Sequence, residues 1–226
     1  SACVLPSFSI GSTLQDEIRF ATEKLARGIG VRGLINIQFA VVANTTVAEK
    51  LYVLEANPRA SRTVPFVSKA TGNPLAKCAA LISSGMKIAE LRAQGLLPQS
   101  GDGVAKGISV KEAVLPWNRF RRVDGRGVDA VLGPEMRSTG EVMGIADNFG
   151  EAYAKSQISS FGPLPKSGTV FISLADKDKA SGVAPARELI ALGFRVLTTD
   201  GTAKIFGENG ISTTVVRKNS QGTGPL

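Results

Sequence analysis

A carboxylate and an amide two residues apart, followed by two arginines, form the most chemically suggestive set of side chains in the sequence. In the run LYVLEANPRASR, Glu55 and Asn57 end an alternating apolar stretch, and Arg59 and Arg62 follow. Gln38 lies on the polar side of the preceding alternating run, LINIQFAVV. Carboxylate and amide oxygens are ligands that Mg²⁺ and Mn²⁺ accept, and guanidinium groups match phosphate geometry. The pattern predicts a divalent-ion and phosphate site.

Two strands of a β-hairpin must position these side chains. The runs LINIQFAVV and LYVLEAN alternate apolar and polar residues, and the loop VANTTVAEK connects them. Because side chains alternate along a strand, Glu55 and Asn57 are expected on one face, with Gln38 of the partner strand opposite them. A hairpin with a solvated polar end and two surface arginines fits the same spacing, so the residues alone leave that alternative open.

Helical periodicity and turn residues predict helices on both sides of the hairpin. The first spans 12–28, the second surrounds VPFVSKA, and the third covers PLAKCAALISSG with Pro74 in its first turn. Residues 98–110 are predicted to form a loop because they are rich in Gly and Pro. The residues expected to cap or stop these helices are Ser12, Thr13, Gly28, Gly30, Gly72 and Asn73.

A second set of polar side chains follows the linker candidate 161–168. The runs TVFISLA, APARELIAL, FRVLTT, AKIFGENG and TTVVRK alternate strand and helix patterns, which predicts a parallel α/β sheet. Ligands collect at the carboxyl ends of parallel strands, where Lys179, Thr199, Thr202 and Lys218 are expected to form a phosphate-binding rim. An ordinary helix cap and tight turn with solvated lysines is the alternative that these residues leave open.

The composition narrows the classes of partner. The chain has 226 residues, of which 43% are apolar and 20% charged, and it has no apolar run of the length that spans a membrane. Its net charge is +8, but the basic residues are spread along the chain and only 6% of residues are aromatic. Small phosphorylated ligands rather than nucleic acid are therefore expected. Histidine is absent, and Cys3 and Cys78 are expected to be free thiols.

Several long runs resemble one family. LEANPRASRTVPFVSKATGNPLAK is similar to the C-terminal lobe of the second ATP-grasp half of carbamoyl phosphate synthase large chains. VRGLINIQFAV, KEAVLPWNRF and LGPEMRSTGEVMGI resemble further runs of that half, in family order. The end of the chain resembles the start of the methylglyoxal-synthase-like domain of the same family. The resemblance implies an α/β fold class, with an ATP-grasp lobe over 1–160 and a partial parallel-sheet domain over 161–226.

The resemblance also implies an activity and its site. Gln38, Glu55 and Asn57 would hold Mg²⁺ or Mn²⁺, with K⁺ as a further ion, and Gln38 and Glu55 would contact ATP. Arg59 and Arg62 would be catalytic. The implied reaction is the phosphorylation of carbamate by ATP in a glutamine-dependent synthase that serves pyrimidine and arginine biosynthesis. The implied partners are a small glutamine amidotransferase subunit or domain, ATP, carbamate and a regulatory nucleotide, within an oligomer.

Regulation is the second implication of the resemblance. Lys179, Thr199, Thr202 and Lys218 match positions that bind the phosphate of a regulatory nucleotide. Glu112 matches a contact to the activator ornithine in bacterial relatives, and a solvated charge beside a strand is its simpler interpretation. The run NSQGTGP replaces the H-E-G-R-P that the family often has after Lys218, so that edge of the rim departs from the family pattern.

Two other functions compete with the ligase interpretation. One is a nucleotide-binding regulatory module without catalysis, and the other is a lyase of the methylglyoxal synthase type that would use Asp176 or Asp178 as its base. The chain is expected to be a fragment, inactive alone, because the other ATP-grasp lobe and the glycine-rich phosphate loop would lie upstream. The expected compartment is the cytoplasm, with the plastid stroma as the alternative.

Overall fold

The structure is a computed structural model that describes residues 2–44, 47–117, 131, 133 and 135–216. The chain divides into two compact units, Ser1–Pro163 and Leu164–Leu226. Among the helices of the described residues, none combines the length and apolar character needed to cross a bilayer.

The described part of the first unit mixes antiparallel strands with helices. Its strands are β1 (Cys3–Leu5), β2 (Asn36–Asn44), β3 (Val47–Asn57), β4 (Ile108–Val114) and β5 (Gly140–Ala146). Its helices are α1 (Ser12–Ile29), α2 (Thr63–Thr71), α3 (Leu75–Ser83), α4 (Ile88–Ala93) and α5 (Phe149–Phe161). The predicted 98–110 loop is therefore shorter than expected, because β4 begins inside it.

Strands β2 and β3 form the expected hairpin. They pair antiparallel, with Gln38 opposite Glu55 and Asn36 opposite Asn57. The register shifts between Gln38 and Phe39, because Phe39 pairs with Val53 and leaves Leu54 as an extra residue. This is a β-bulge. It reverses the alternation of side chains, so that residues after Leu54 project to the opposite face from the one that they would occupy in a regular strand.

A second antiparallel sheet has the order β1-β4-β5 and is covered by α5. Its buried side chains include Val110 and Ala113 on β4 and Ala152 on α5. Gly144 on β5 lies under the helix, and a Cβ there would be 2.0 Å from the carbonyl oxygen of Ala152. A glycine at this position is what allows the helix backbone to approach the sheet so closely.

Several predicted helix boundaries are wrong. Gly11 is the N-cap of α1 and no side chain caps it, so neither Ser12 nor Thr13 has the expected role. The helix continues through Gly28 and ends at Gly30, whose φ of 74° only glycine adopts without strain. Pro74 rather than Asn73 is the N-cap of α3. The carbonyl of Asn73 instead accepts the hydroxyl of Ser68, at 2.7 Å.

The second unit has the predicted parallel α/β pattern. Its three-stranded sheet has the order β6-β7-β8, with both strand pairs parallel. The core contains Ala186, Phe206 and Ile211, with Ile172 and Leu174 packed against them. The elements are β6 (Thr169–Ile172), α6 (Val183–Ala191), β7 (Arg195–Thr198), α7 (Asp200–Glu208) and β8 (Thr214–Val215), with a 3₁₀ turn at Asp176–Asp178.

Candidate functional site

The oxygen donors predicted from the hairpin lie together on one face. Directly opposed residues of an antiparallel pair project to the same side, so the Gln38–Glu55 and Asn36–Asn57 pairs share a face at the end of the hairpin. The side-chain amide of Asn57 donates to Glu55 Oε1 at 3.0 Å. Gln38 and Glu55 are exposed and Asn57 is half-buried. We call Gln38, Glu55 and Asn57 the donor cluster.

The β-bulge explains how this face becomes polar. Without it, Val53 and Glu55 would project to the same side, since they are two residues apart on one strand. The extra Leu54 puts Val53 opposite Phe39 on one face and Glu55 opposite Gln38 on the other. The bulge thus separates the apolar side of the hairpin from the donor cluster.

The donor cluster has the chemistry of a hard-cation site. It offers one carboxylate and two amide oxygens, the ligand types preferred by Mg²⁺ and Mn²⁺. In the described part of the chain, no other protein group bonds to the side chain of Gln38, to Glu55 Oε2 or to the amide oxygen of Asn57. The described residues contain no group of three or more His, Cys, Asp or Glu that could hold a metal, so any ion here depends on the amides as well as the carboxylate.

The two predicted arginines follow the hairpin but have different partners. A tight turn closes after the strand, where the backbone N–H of Arg59 donates to the carbonyl of Asn57 at 2.8 Å. The Arg59 guanidinium donates to the carbonyl of Ala60 at 3.0 Å. Arg62 instead donates to the hydroxyl of Ser138 at 3.0 Å. Both arginines are exposed, and within the described residues neither is hydrogen-bonded to the donor cluster.

Arg62 lines a pocket of about 610 Å³ that was not predicted from the sequence. Its wall carries three cations, Arg62, Lys69 and Lys111, together with the carboxylate of Glu141. Lys111 is buried with 3% of its side chain exposed, and its ammonium lies 3.2 Å from Glu141 Oε1. Lys111 and Glu141 lie on adjacent strands of the β1-β4-β5 sheet, so no local motif in the sequence links them. We call this the cationic pocket.

A thiol lies beside the buried ion pair. Cys3 is opposite Lys111 in the register of β1 and β4. Burial raises the pKa of the Cys3 thiol, and the nearby charge of Lys111 offsets part of that increase. The thiol is therefore held in its neutral form at physiological pH. Cys3 and Cys78 are both free, as expected.

The second predicted site forms a pocket of about 390 Å³ at the carboxyl ends of β6 and β7. Lys179, Thr199 and Gly201 line it, with Asp176 and Asp200. We call it the rim pocket. Thr199 is the N-cap of α7 and is buried with 6% exposed. The structure thus brings together two of the four predicted rim residues, Lys179 and Thr199.

The other two predicted rim residues, Thr202 and Lys218, are not among the described residues that line the rim pocket. Thr202 is fully buried and does not line the rim pocket, since its hydroxyl accepts the backbone N–H of Leu174 at 3.2 Å. It reaches the pocket through Thr199, whose hydroxyl is 3.4 Å from its own. The sequence placed Thr202 at the start of the helix, whereas α7 begins two residues earlier. Lys218 lies outside the described residues.

Glu112 is a strand residue rather than a solvated charge beside a strand. It lies within β4 and is half-buried. Its Oε2 accepts the side-chain amide of Gln157 at 3.0 Å, and Oε1 accepts the backbone N–H of Ala113 at 3.1 Å. The interpretation of Glu112 as a solvated charge beside a strand is therefore wrong.

Two family models match the chain. Residues 1–91 match the model described as "Carbamoyl-phosphate synthase L chain, ATP binding domain". Residues 181–225 match the MGS-like domain. The first range contains the donor cluster with Arg59 and Arg62, and the second contains Thr199 and Thr202 and begins just after Lys179.

Curated relatives match along the whole chain. The carbamoyl phosphate synthase large chain of Streptomyces coelicolor is 62% identical over 229 residues, covering 100% of this chain and 20% of the relative. Those of Kineococcus radiotolerans and Mycobacterium bovis are 56% and 55% identical, covering 99% and 100% of this chain and 20% of each relative. The chain therefore spans about a fifth of the length of the relatives it matches.

The fold is of the α/β class, and its first unit carries a match to an ATP-binding domain. The chain belongs to the carbamoyl phosphate synthase large-chain family, as one segment of such a chain. The resemblance and the α/β fold class predicted from the sequence are thereby confirmed.

Proposed function

We propose that the chain contributes half of an ATP- and metal-dependent site that phosphorylates carbamate to carbamoyl phosphate in a glutamine-dependent synthase. The observation that carries the proposal is the donor cluster, in which Gln38 and Glu55 are paired across the hairpin and Asn57 contacts Glu55. A bound Mg²⁺ or Mn²⁺ would neutralise the phosphate charge of ATP as it develops in the transition state. The cluster supplies protein oxygens for the ion from one side only, which fits a site completed by nucleotide.

Arg59 and Arg62 would bind different ligands in this proposal. Arg59 follows the donor cluster within one tight turn, a position that suits the phosphates of ATP. Arg62 is held by Ser138 at the cationic pocket. A pocket with three cations and one carboxylate suits a small anion such as carbamate, which Arg62 would orient towards the phosphoryl group.

The metal assignment is tested by Glu55→Gln and Asn57→Asp in the full-length synthase. Each change alters one donor while keeping side-chain size, so we expect carbamate-dependent ATP turnover to fall by at least about a hundredfold. The matched control is Glu49→Gln, an exposed residue of the same strand outside the donor cluster, which should retain turnover. Turnover retained in both donor variants would leave the non-catalytic regulatory module as the better proposal.

We propose that the rim pocket binds the phosphate of a regulatory nucleotide through Lys179 and the α7 N-terminus capped by Thr199. The support is the grouping of a cation, a buried hydroxyl and a helix start around one pocket. Thr202 positions Thr199 and the backbone of Leu174 rather than touching the ligand. Lys218 and Glu112 keep their proposed effector roles, Lys218 at the rim and Glu112 as an activator contact.

The regulatory assignment is tested by Lys179→Ala in the same synthase. We expect the nucleotide effect on turnover to be lost while basal turnover is retained, because the substitution removes the one cation among the described residues that line the rim pocket, without touching the donor cluster. The control is Lys177→Ala, a lysine of the same 3₁₀ turn that does not line the rim pocket. A collapse of basal turnover in Lys179→Ala alone would contradict a purely regulatory role.

The remaining expectations stay proposals of the same kind. We propose domain limits of 1–160 and 161–226, a glutamine amidotransferase partner, an oligomeric assembly, and a place in pyrimidine and arginine biosynthesis. The bacterial origin of the relatives supports the cytoplasm as the compartment. The lyase alternative has less support, because one of its two possible bases, Asp176, is paired with Lys179, and the other, Asp178, does not line the rim pocket.

A further inference from the structure

Two carboxylates, Asp176 and Asp200, line the rim pocket, and Asp176 is paired with the lysine that lines it. Lys179 donates through its ammonium to Asp176 Oδ1, three residues earlier, and both line the pocket. The carboxylate therefore lies where the cation would meet a phosphate oxygen. A second hollow, of about 480 Å³, shares Asp176, Lys179 and Gly201 with the rim pocket, so Asp176 borders both.

The two partners of this ion pair differ in how far their side chains are exposed. Lys179 is mostly enclosed, with 16% of its side chain exposed, whereas 96% of the Asp176 side chain is exposed. A Cβ added at Gly201 would be 2.8 Å from Lys179 Nζ, so the ammonium is packed against the first turn of α7. The ammonium is thus packed against α7, whereas the carboxylate lies in solvent.

We infer that Asp176 is an internal competitor for the phosphate ligand, which must displace the carboxylate from Lys179 before it binds. This inference rests on the proposed phosphate site. Because the carboxylate lies in solvent, where its charge is screened, a phosphate dianion with its additional contacts to the helix N-terminus can replace it. The carboxylate lowers the affinity of the site and favours ligands of higher negative charge over singly charged anions, because only strong anions overcome the competition.

The test is equilibrium binding of UMP and of inorganic phosphate to the full-length synthase and its variants at low ionic strength. Asp176→Asn removes the competing charge and keeps the side-chain shape, so we expect the dissociation constant to fall by roughly three- to tenfold. The control is Asp178→Asn, which removes the same charge from the same 3₁₀ turn at a residue that does not line the pocket. Its dissociation constant should change by less than about twofold.

Salt separates a local competition from a general change in charge. Because the exposed carboxylate is screened by salt, the advantage of Asp176→Asn should shrink as ionic strength rises. Unchanged or weaker binding in Asp176→Asn, or an equal gain in Asp178→Asn, would overturn the inference.

Lys179→Ala distinguishes failure of the inference from failure of the proposed site. If Lys179→Ala loses binding while Asp176→Asn binds as the unaltered synthase does, only the competition is wrong. If Lys179→Ala binds UMP and phosphate normally, the proposed phosphate site is wrong, and the inference falls with it.

Discussion

At the scale of single residues, the first unit contains a buried ion pair, Lys111–Glu141, next to the thiol of Cys3. The Lys111 ammonium lies 3.2 Å from Glu141 and 3.5 Å from the hydroxyl of Thr63. Buried charges persist only when they are paired and hydrogen-bonded. Cys3 shares this environment, and its pKa is raised by burial, lowered in part by Lys111 and raised by Glu141. The protonation of Cys3 therefore reports on the ion pair.

Alkylation of Cys3 tests this environment directly. Because the pKa of Cys3 is raised, we expect the rate of its reaction with iodoacetamide to rise only above the pH at which a free thiol reacts, about 8.5. The measurement is the pH profile of labelling, followed by mass spectrometry of the Cys3 peptide. In Lys111→Met the lowering charge is lost and Glu141 remains, so the profile should shift to still higher pH. A Cys3 profile at or below that of a free thiol would show that the burial is wrong.

At the scale of elements, the sequence predicted the hairpin but not the β-bulge that decides which side chains share a face. Alternation identified β2 and β3 and the opposition of Gln38 and Glu55, since the two-residue period is local information. The bulge at Leu54 was not predicted, because an extra residue in one strand is visible only against the register of its partner. Ser138 and Arg62 were not linked either, because 76 residues separate them in the sequence.

Helix boundaries show the same division between local and tertiary information. Gly72 was correctly predicted to end α2, where its φ of 76° lies in the left-handed region that favours glycine. Asn148 was missed, although its side chain accepts the backbone N–H of Glu151 at 2.9 Å and caps α5. Ser12 resembles a cap, but it is already inside α1. Cap residues are common outside caps, so such a motif needs the backbone to confirm it.

The contact of α5 with β5 gives a prediction at this scale. A Cβ at position 144 would be 2.8 Å from the backbone nitrogen of Ser156 as well as overlapping the carbonyl of Ala152. Backbone atoms cannot move aside cheaply, so we expect Gly144→Ala to lower the free energy of unfolding of this unit by about 3 kcal/mol.

The matched control for that prediction is Gly140→Ala. Gly140 begins the same strand, and a Cβ there meets nothing within 4 Å. Urea unfolding of the two variants in the full-length protein should therefore show a loss in the first and almost none in the second. Equal effects would indicate that the loss comes from glycine flexibility rather than from the packing of α5.

At the scale of the whole molecule, the chain is two units with separate chemistry. The donor cluster and cationic pocket belong to the first unit and the rim pocket to the second. The fold of the second unit was predicted better than that of the first. In a parallel α/β sheet, the order of strands and helices along the chain already indicates the topology. In the first unit the β1-β4-β5 sheet pairs strands that are distant in sequence, such as Cys3 with Lys111, and local patterns carry no such information.

The junction between the units gives the last prediction. Lys166 is exposed in a stretch, 162–168, that is neither helix nor strand, whereas Lys77 is also exposed but lies within α3. Trypsin needs an extended, accessible backbone, and a helix must open locally before it can be cut. We therefore expect brief native digestion of the full-length protein to cleave after Lys166 well before Lys77, with both sites identified by mass spectrometry. Lys166→Gln should remove that early cut, and early cleavage at Lys77 instead would mean that α3 opens more readily than the junction.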